Sequence, residues 1–237
     1  MAVLGDFLDK AANWPGVPAQ GWEFAVPSAD LNILGNDQWG DCAAAGAMHL
    51  IQAMTSNAST PLVPTTEETL ALYSAVTGFN PNAGPPGNNP TDQGTALTDL
   101  LAYWQKTGIT IAGQSHKIVG SASVDISSVA QMRYAAYTFG GLYLGMNCPN
   151  QCEQDTSNWN FAAGLPIAGG HCIIQAGEGS AGGKIGTWGL WVPATWDFLL
   201  SYLDEAYVVL TEDWLSARGK TPTGLDLDGL LAAMKQF

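Results

Sequence analysis

The 237-residue chain sets eight Lys plus Arg against 21 Asp plus Glu, a formal charge of -13 that repels a phosphate backbone, and no local basic cluster offsets it, so nucleic acid is excluded as a partner. With 46% hydrophobic residues and no internal repeat, the length suits one substantial core in a single domain of two lobes. Nowhere do roughly 18 apolar residues run uninterrupted, and the opening MAVLGDFLDKAANW has no basic segment ahead of an apolar one, so a soluble protein without membrane span or classical export signal is expected.

The segment NWPGVPAQGWEFAVPSADLNILGNDQWGD is punctuated by Pro, Gly and Asn and reads as an extended arm and loops. From Ala43 to about Met54, Ala, Met, Leu and Ile recur with no Pro and one Gly, which predicts a helix apolar on most faces and therefore buried. Cys42 opens it, with Asp41 as its cap. A second helix is expected in TTEETLALYSAVTG, where Thr65 or Thr66 ahead of the Glu pair makes a capping-box pattern. NPNAGPPGNNPTDQG is a long surface loop. In TALTDLLAYWQKTGI, Leu97, Leu100, Leu101 and Trp104 fall at helical spacing and Gly108 stops the helix.

The second half changes character. HKIVGSASV, GGLYLGMN, HCIIQAGEG, GKIGTWGLWV and EAYVVLTED are short β-rich runs separated by Gly and Pro, interrupted by one helix-length pattern, ISSVAQMRYAAYTFG. Helices ahead of strands predict an α+β protein: an arm and helical lobe over about 1–110, facing a mostly antiparallel sheet or barrel over about 111–237. The cleft between the lobes is the expected place for a site.

Cys42, at a helix N-terminus, and His171, opening a strand of the other lobe, are expected to meet there. A helix N-terminus and a nearby imidazole both favour thiolate, and histidine shuttles protons near neutral pH, so the pair has the logic of covalent catalysis by a thiol. The neighbouring Cys172 points to the opposite face of a regular strand and reads as core. His49, two helical turns from Cys42, is expected to be buried and hydrogen-bonded to backbone, while His116 sits in a polar loop and receives no role. Asp204 and Glu205 are adjacent on a strand and so face opposite ways, which excludes a paired-carboxylate site. GEGSAGG lacks the helix and Lys-Ser/Thr ending of a phosphate loop. Cys148 and Cys152, in CPNQC, are left as free thiols, a small disulfide loop or part of a metal site needing two more ligands. No metal site and no cofactor is assigned.

Gly40-Asp41-Cys42 at the head of a central helix, DQGTALTDLLAYWQKTGI, ISSVAQMRYAAYTFGGLYLGM, GGHCIIQAGEG and GTWG follow one another in an order that resembles the papain-like cysteine peptidases, of a divergent bacterial or phage type, over roughly Asn36 to Leu210. The resemblance implies a papain-like fold, with Cys42 as nucleophile and His171 as its partner. The family's oxyanion Gln, six residues before the cysteine, is Asn36 here, with Gln38 four residues before it; either amide can donate the bond. The family's His-orienting Asn falls on Gly186, beside Thr187. The orienting role then goes to Thr187, to a backbone carbonyl, or is vacant, which leaves a Cys-His dyad. Trp188 matches the family's aromatic shield over the histidine.

Two functions follow from this reading. One is a cysteine hydrolase, peptidase or amidase, acting on a peptide or other acyl substrate through an acyl-enzyme. The other is a catalytically silent papain-like fold serving as a structural or binding module, self-associating or bound to a phage or other particle surface. Charged residues make up only 12% of the chain, which suits such a surface.

Overall fold

Helix α1 (Cys42–Asn57) is buried from Ala43 to Thr55 without a break, so it runs through the protein's centre rather than over its surface. The computed structural model describes residues 2–3, 16–27, 30–214 and 220–224, so most of MAVLGDFLDKAANW lies outside the described residues. The strands are β1 (Ala2–Val3), β2 (Trp22–Glu23), β3 (Ile109–Ile111), β4 (Gln114–His116), β5 (Ile118–Ser123), β6 (Leu142–Pro149), β7 (Ile167–Glu178), β8 (Gly182–Thr187), β9 (Leu190–Thr195) and β10 (Leu203–Thr211). The further helices are α2 (Thr66–Thr77), α3 (Leu97–Lys106), α4 (Val129–Phe139), the single turn α5 (Gln151–Gln154) and α6 (Trp196–Tyr202). Among the described residues, no helix is long and apolar enough to cross a membrane.

The architecture is α+β with two lobes: α1, α2 and α3 gather on one side, and an eight-stranded sheet in the order β1-β5-β10-β6-β7-β8-β9, with β2 also on β7, forms the other. All its pairings are antiparallel except β1 with β5. Helix α1 packs on β7 and β6, and at Gly46 the approach is too close for a side chain. A Cβ at Gly46 would stand 2.8 Å from Cys172 Sγ and 3.2 Å from Tyr143 Cε2, so only glycine lets the helix lie this near the sheet. Tyr143 locks the crossing by donating from its hydroxyl to the Ala43 carbonyl at 2.7 Å. This contact sets the head of α1, and Cys42 with it, beside the start of β7.

Local chemistry explains most boundaries. Thr65 and Glu68 close both bonds of a capping box at the head of α2, and Gly78 ends that helix with φ 79°. In α3, Leu97, Leu100, Leu101 and Trp104 are buried and the polar positions between them are not. Two strands depart from the sequence reading. The arm is not wholly irregular, because Trp22–Glu23 pairs with Glu178 and Gly177 of β7. Strand β10 bulges between Leu203 and Glu205, which cancels the alternation expected of neighbours. Glu205 Cγ and Asp204 Oδ1 consequently both approach the position of a Cβ on Gly145, at 2.6 and 3.1 Å.

Candidate active site

The 34–40 turn leads into α1 and carries the first wall of the site. Asp41 precedes the helix with φ -92° and ψ 16° and its side chain caps nothing, contrary to the sequence expectation. Its carboxylate is fully buried and Oδ1 instead accepts from Asn36 Nδ2 at 3.0 Å, while Oδ2 has no partner among the described residues. Burial pushes Asp41 up to about 7, against the Asn36 hydrogen bond and with help from the charges of Asp92 and Asp37. The second hydrogen of Asn36 Nδ2 is donated to the Trp39 carbonyl at 3.3 Å.

Asp92 holds the same turn from the far side. Its two oxygens accept from the Gly40 N–H at 3.0 and 3.2 Å, and Oδ1 also accepts from the Tyr73 hydroxyl at 2.8 Å. The Tyr73 oxygen in turn accepts from the Gly94 N–H at 2.8 Å. A loop read from the sequence as mere surface is therefore part of the scaffold beneath Cys42. Sequence spacing could not reveal this, since the partner of Asp92 is a backbone group 52 residues away.

The opposite wall comes from the sheet. His171 lies early in β7, opposite Met146 of β6. Strands β8 and β9 join through the two-residue turn Trp188–Gly189, both residues having positive φ, 47° and 72°. The left-handed region is costly for a residue as bulky as tryptophan. Here it turns the Trp188 indole flat onto the His171 ring, with centroids 4.4 Å apart and planes at 20°. Thr187, buried at the end of β8, places Oγ1 2.7 Å from His171 Nε2 in a hydrogen bond.

Asn36, Gly40, Cys42, Cys148, Glu153, His171 and Trp188 line one cavity of about 250 Å³, together with Ala168–Gly170. The structure thus brings Cys42, His171, Asn36 and Trp188 onto one cavity, with Thr187 bonded to the histidine behind it. Gln38 is exposed and does not line the cavity. Cys148 and Glu153 are lining residues that motif reading did not select.

The electrostatics differ from the sequence expectation. Burial pushes the Cys42 thiol up to about 11; the Asp41 charge adds to this, while the N–H groups of Cys172, Ala43 and Cys42 itself oppose it. Burial likewise pulls His171 down to about 4. A helix N-terminus favours an anion by only about 0.3–1 kcal/mol, which the dry surroundings outweigh. Burial thus favours the neutral thiol at Cys42 and the neutral imidazole at His171.

The other titratable residues are accounted for structurally. His49 bonds through Nε2 to the Asn32 carbonyl at 2.8 Å and is held by burial at about 4. His116 is not in a loop but on β4, with Nδ1 2.7 Å from Asp213 Oδ1. Cys172 is buried against α1. Among the described residues, no group of three or more His, Cys, Asp and Glu is placed to hold a metal ion.

Solved structures superpose on this architecture. Xylellain, a cysteine protease from Xylella fastidiosa, matches with a TM-score of 0.63 over 83% of this chain and 87% of its own, at 14% identity. The fold is papain-like. The Carica candamarcensis cysteine protease CMS1MS2, solved in complex with E-64, gives a TM-score of 0.58 over 82% of this chain and 99% of its own at 12% identity. Procathepsin L 3 of Tenebrio molitor larval midgut gives 0.60 over 84% and 72% at 9% identity. No family description and no curated protein matches the sequence. The likeness is therefore one of papain-like fold.

Proposed function

We propose that the protein is a cysteine hydrolase, a peptidase or amidase, in which Cys42 and His171 act as one unit. The observation that carries this reading is the convergence of Cys42, His171 and an amide donor, Asn36, on one cavity, with His171 Nε2 engaged by Thr187. The helical lobe, about 1–110, contributes Asn36 and Cys42; the β-rich lobe, about 111–237, contributes His171, Thr187 and Trp188.

Nε2–H donates to Thr187 Oγ1, which leaves Nδ1 as the base. As Cys42 Sγ attacks the substrate carbonyl, its proton passes to Nδ1, so charge develops during the attack rather than before it. The oxyanion takes the Cys42 N–H and one hydrogen of Asn36 Nδ2, released from the longer of its two bonds, the one to the Trp39 carbonyl. Collapse breaks the C–N bond, and the leaving amine takes the proton from His171. Water, deprotonated by the same nitrogen, then opens the thioester and regenerates the thiol. Asn36 is favoured over Gln38 because it lines the cavity and Gln38 does not.

The test is turnover of a mixed peptide and ester library by wild type, Cys42→Ala, His171→Ala and the double variant. A coupled pair predicts a loss of at least about 10³-fold in each single variant and no further loss in the double. Equal turnover by wild type and Cys42→Ala contradicts the proposal. No turnover by any form, with one common assembled mass, leaves the papain-like fold as a binding or structural module.

A further inference from the structure

Cys148 and Cys152 have no role in that reaction, yet the first of them opens on the same cavity. Cys148 stands near the end of β6, where the pairing with β7 shifts register between Cys148 and Pro149, and Cys152 lies one turn on, in α5. Both thiols are unlinked, and both are buried, at 3% and 0% exposure. They are hydrogen-bonded to each other, and Cys148 Sγ lies 3.7 Å from the Pro149 carbonyl as donor. Cys148 lines the cavity wall whereas Cys152 does not, so a small solute in the cavity meets Cys148 first.

From this arrangement we infer that Cys148 and Cys152 form a dithiol site for hydrogen peroxide: Cys148 takes the oxidant from the cavity and Cys152 resolves it to a disulfide. The order follows from the hydrogen bond and from burial. Cys152 is held protonated, first by its bond to Cys148 and then by its dry surroundings, and it does not line the cavity, so Cys148 meets the oxidant first and Cys152 follows as the resolving thiol. Cys148 Sγ attacks one peroxide oxygen, the O–O bond breaks, and the departing hydroxide takes up the thiol proton as water; sulfur is oxidised to sulfenic acid and peroxide reduced. Cys152 Sγ then attacks the Cys148 sulfur, the S–O bond breaks, and the hydroxyl leaves as a second water with the Cys152 proton. The sum is two thiols and one hydrogen peroxide giving one disulfide and two waters. The new bond closes the loop over Pro149, Asn150 and Gln151 and ties α5, with the cavity-lining Glu153, to the end of β6. Cys172 is excluded as a partner because its sulfur faces Gly46 of α1.

The site does not depend on the hydrolase reading, so it is tested in the full chain carrying Cys42→Ala. Reduced protein is exposed to hydrogen peroxide, quenched with N-ethylmaleimide and cut after Tyr143 and Trp159, which separates the pair from Cys172. The expected peptide is two hydrogens lighter, carries no maleimide and regains both thiols with dithiothreitol; it forms about tenfold or more faster than Cys172 is modified. Adding Cys152→Ser is expected to stop Cys148 at sulfenic acid, trapped by dimedone. Maleimide on both residues after exposure, equal dimedone capture of Cys148 with and without Cys152, or a Cys148–Cys172 link would each overturn the inference.

Discussion

His171 and Thr187 are joined through Nε2 and Oγ1 at 2.7 Å, with the Trp188 indole stacked on the imidazole face. A hydroxyl therefore stands where the papain-like resemblance leads one to look for an amide. If it fixes the ring and its tautomer, Thr187→Ala should lower kcat/KM by roughly 5- to 150-fold, the range expected when a buried hydrogen bond worth about 1–3 kcal/mol is lost. Thr187→Ser should restore most of the rate. Equal rates for Thr, Ser and Ala would show that His171 needs no partner there.

Asn36 carries two duties, and its replacement should reveal both. Asn36→Ala removes a side-chain hydrogen-bond donor to the buried Asp41 carboxylate, so it is expected to destabilise the protein by about 1–3 kcal/mol as well as to lower kcat by about 10- to 1,000-fold. Gln38→Ala, at an exposed position, should leave both within about 0.5 kcal/mol and twofold. Denaturant unfolding and steady-state kinetics on the two variants check this; a reversed ranking contradicts the assignment of the donor.

Asp41 gives a pH dependence with a definite sign. Its folded pKa, raised by burial to about 7, lies above the ordinary value of 3.8, so its contribution to stability is fully present below about pH 4 and is lost as pH rises through about 7. Asp41→Asn has nothing to titrate at that position. The stability of wild type minus that of the variant should fall between pH 4 and 7 by on the order of 4 kcal/mol and stay level outside that window. Thermal or urea unfolding of both proteins across pH 3–8 measures it, and a difference that is flat throughout would place the Asp41 carboxyl in wetter surroundings than the structure shows.

The neutral resting pair also has a kinetic signature. Alkylation of Cys42 by iodoacetamide should climb through neutral pH with its midpoint near 11, above the roughly 8.5 of a free thiol. Turnover should hold to acidic pH and decline only as His171 protonates near 4. A plateau of alkylation between pH 5 and 8 would reveal a standing thiolate and imidazolium, contrary to the burial of both groups.

How much of this was legible depended on the length of the signal. An apolar run of a dozen residues announces α1, and its N-terminal cysteine follows from the boundary; the strand through His171 is equally plain from its β-branched residues, but it starts at Ile167, four residues before the histidine expected to open it, because Ala168, Gly169 and Gly170 carry no strand signal. Trp22–Glu23 is too short for any period to register. Asp41 reads as a helix cap by residue type, but the turn before it delivers the Asn36 amide to its carboxylate and leaves no cap geometry. The alternation rule separates Asp204 from Glu205 only on an unbroken strand, and the bulge is silent in the sequence. The depression of the Cys42 thiol failed for a similar reason: a helix terminus is visible in sequence, whereas the burial that opposes it belongs to the assembled fold. Thr187 stood among three alternatives until the Trp188–Gly189 turn brought its hydroxyl to the ring.

The central claim is that Cys42 forms an acyl-enzyme with the help of His171, and trapping that intermediate tests it most directly. Wild type, Cys42→Ala and His171→Ala are mixed with a panel of activated peptide esters, quenched in acid within seconds, and the adduct is located by peptide mass mapping. The account predicts a thioester on Cys42 in wild type, none anywhere in Cys42→Ala, and formation slowed by at least about 100-fold in His171→Ala. An adduct on another residue, or one that forms on Cys42 equally fast without His171, would contradict it.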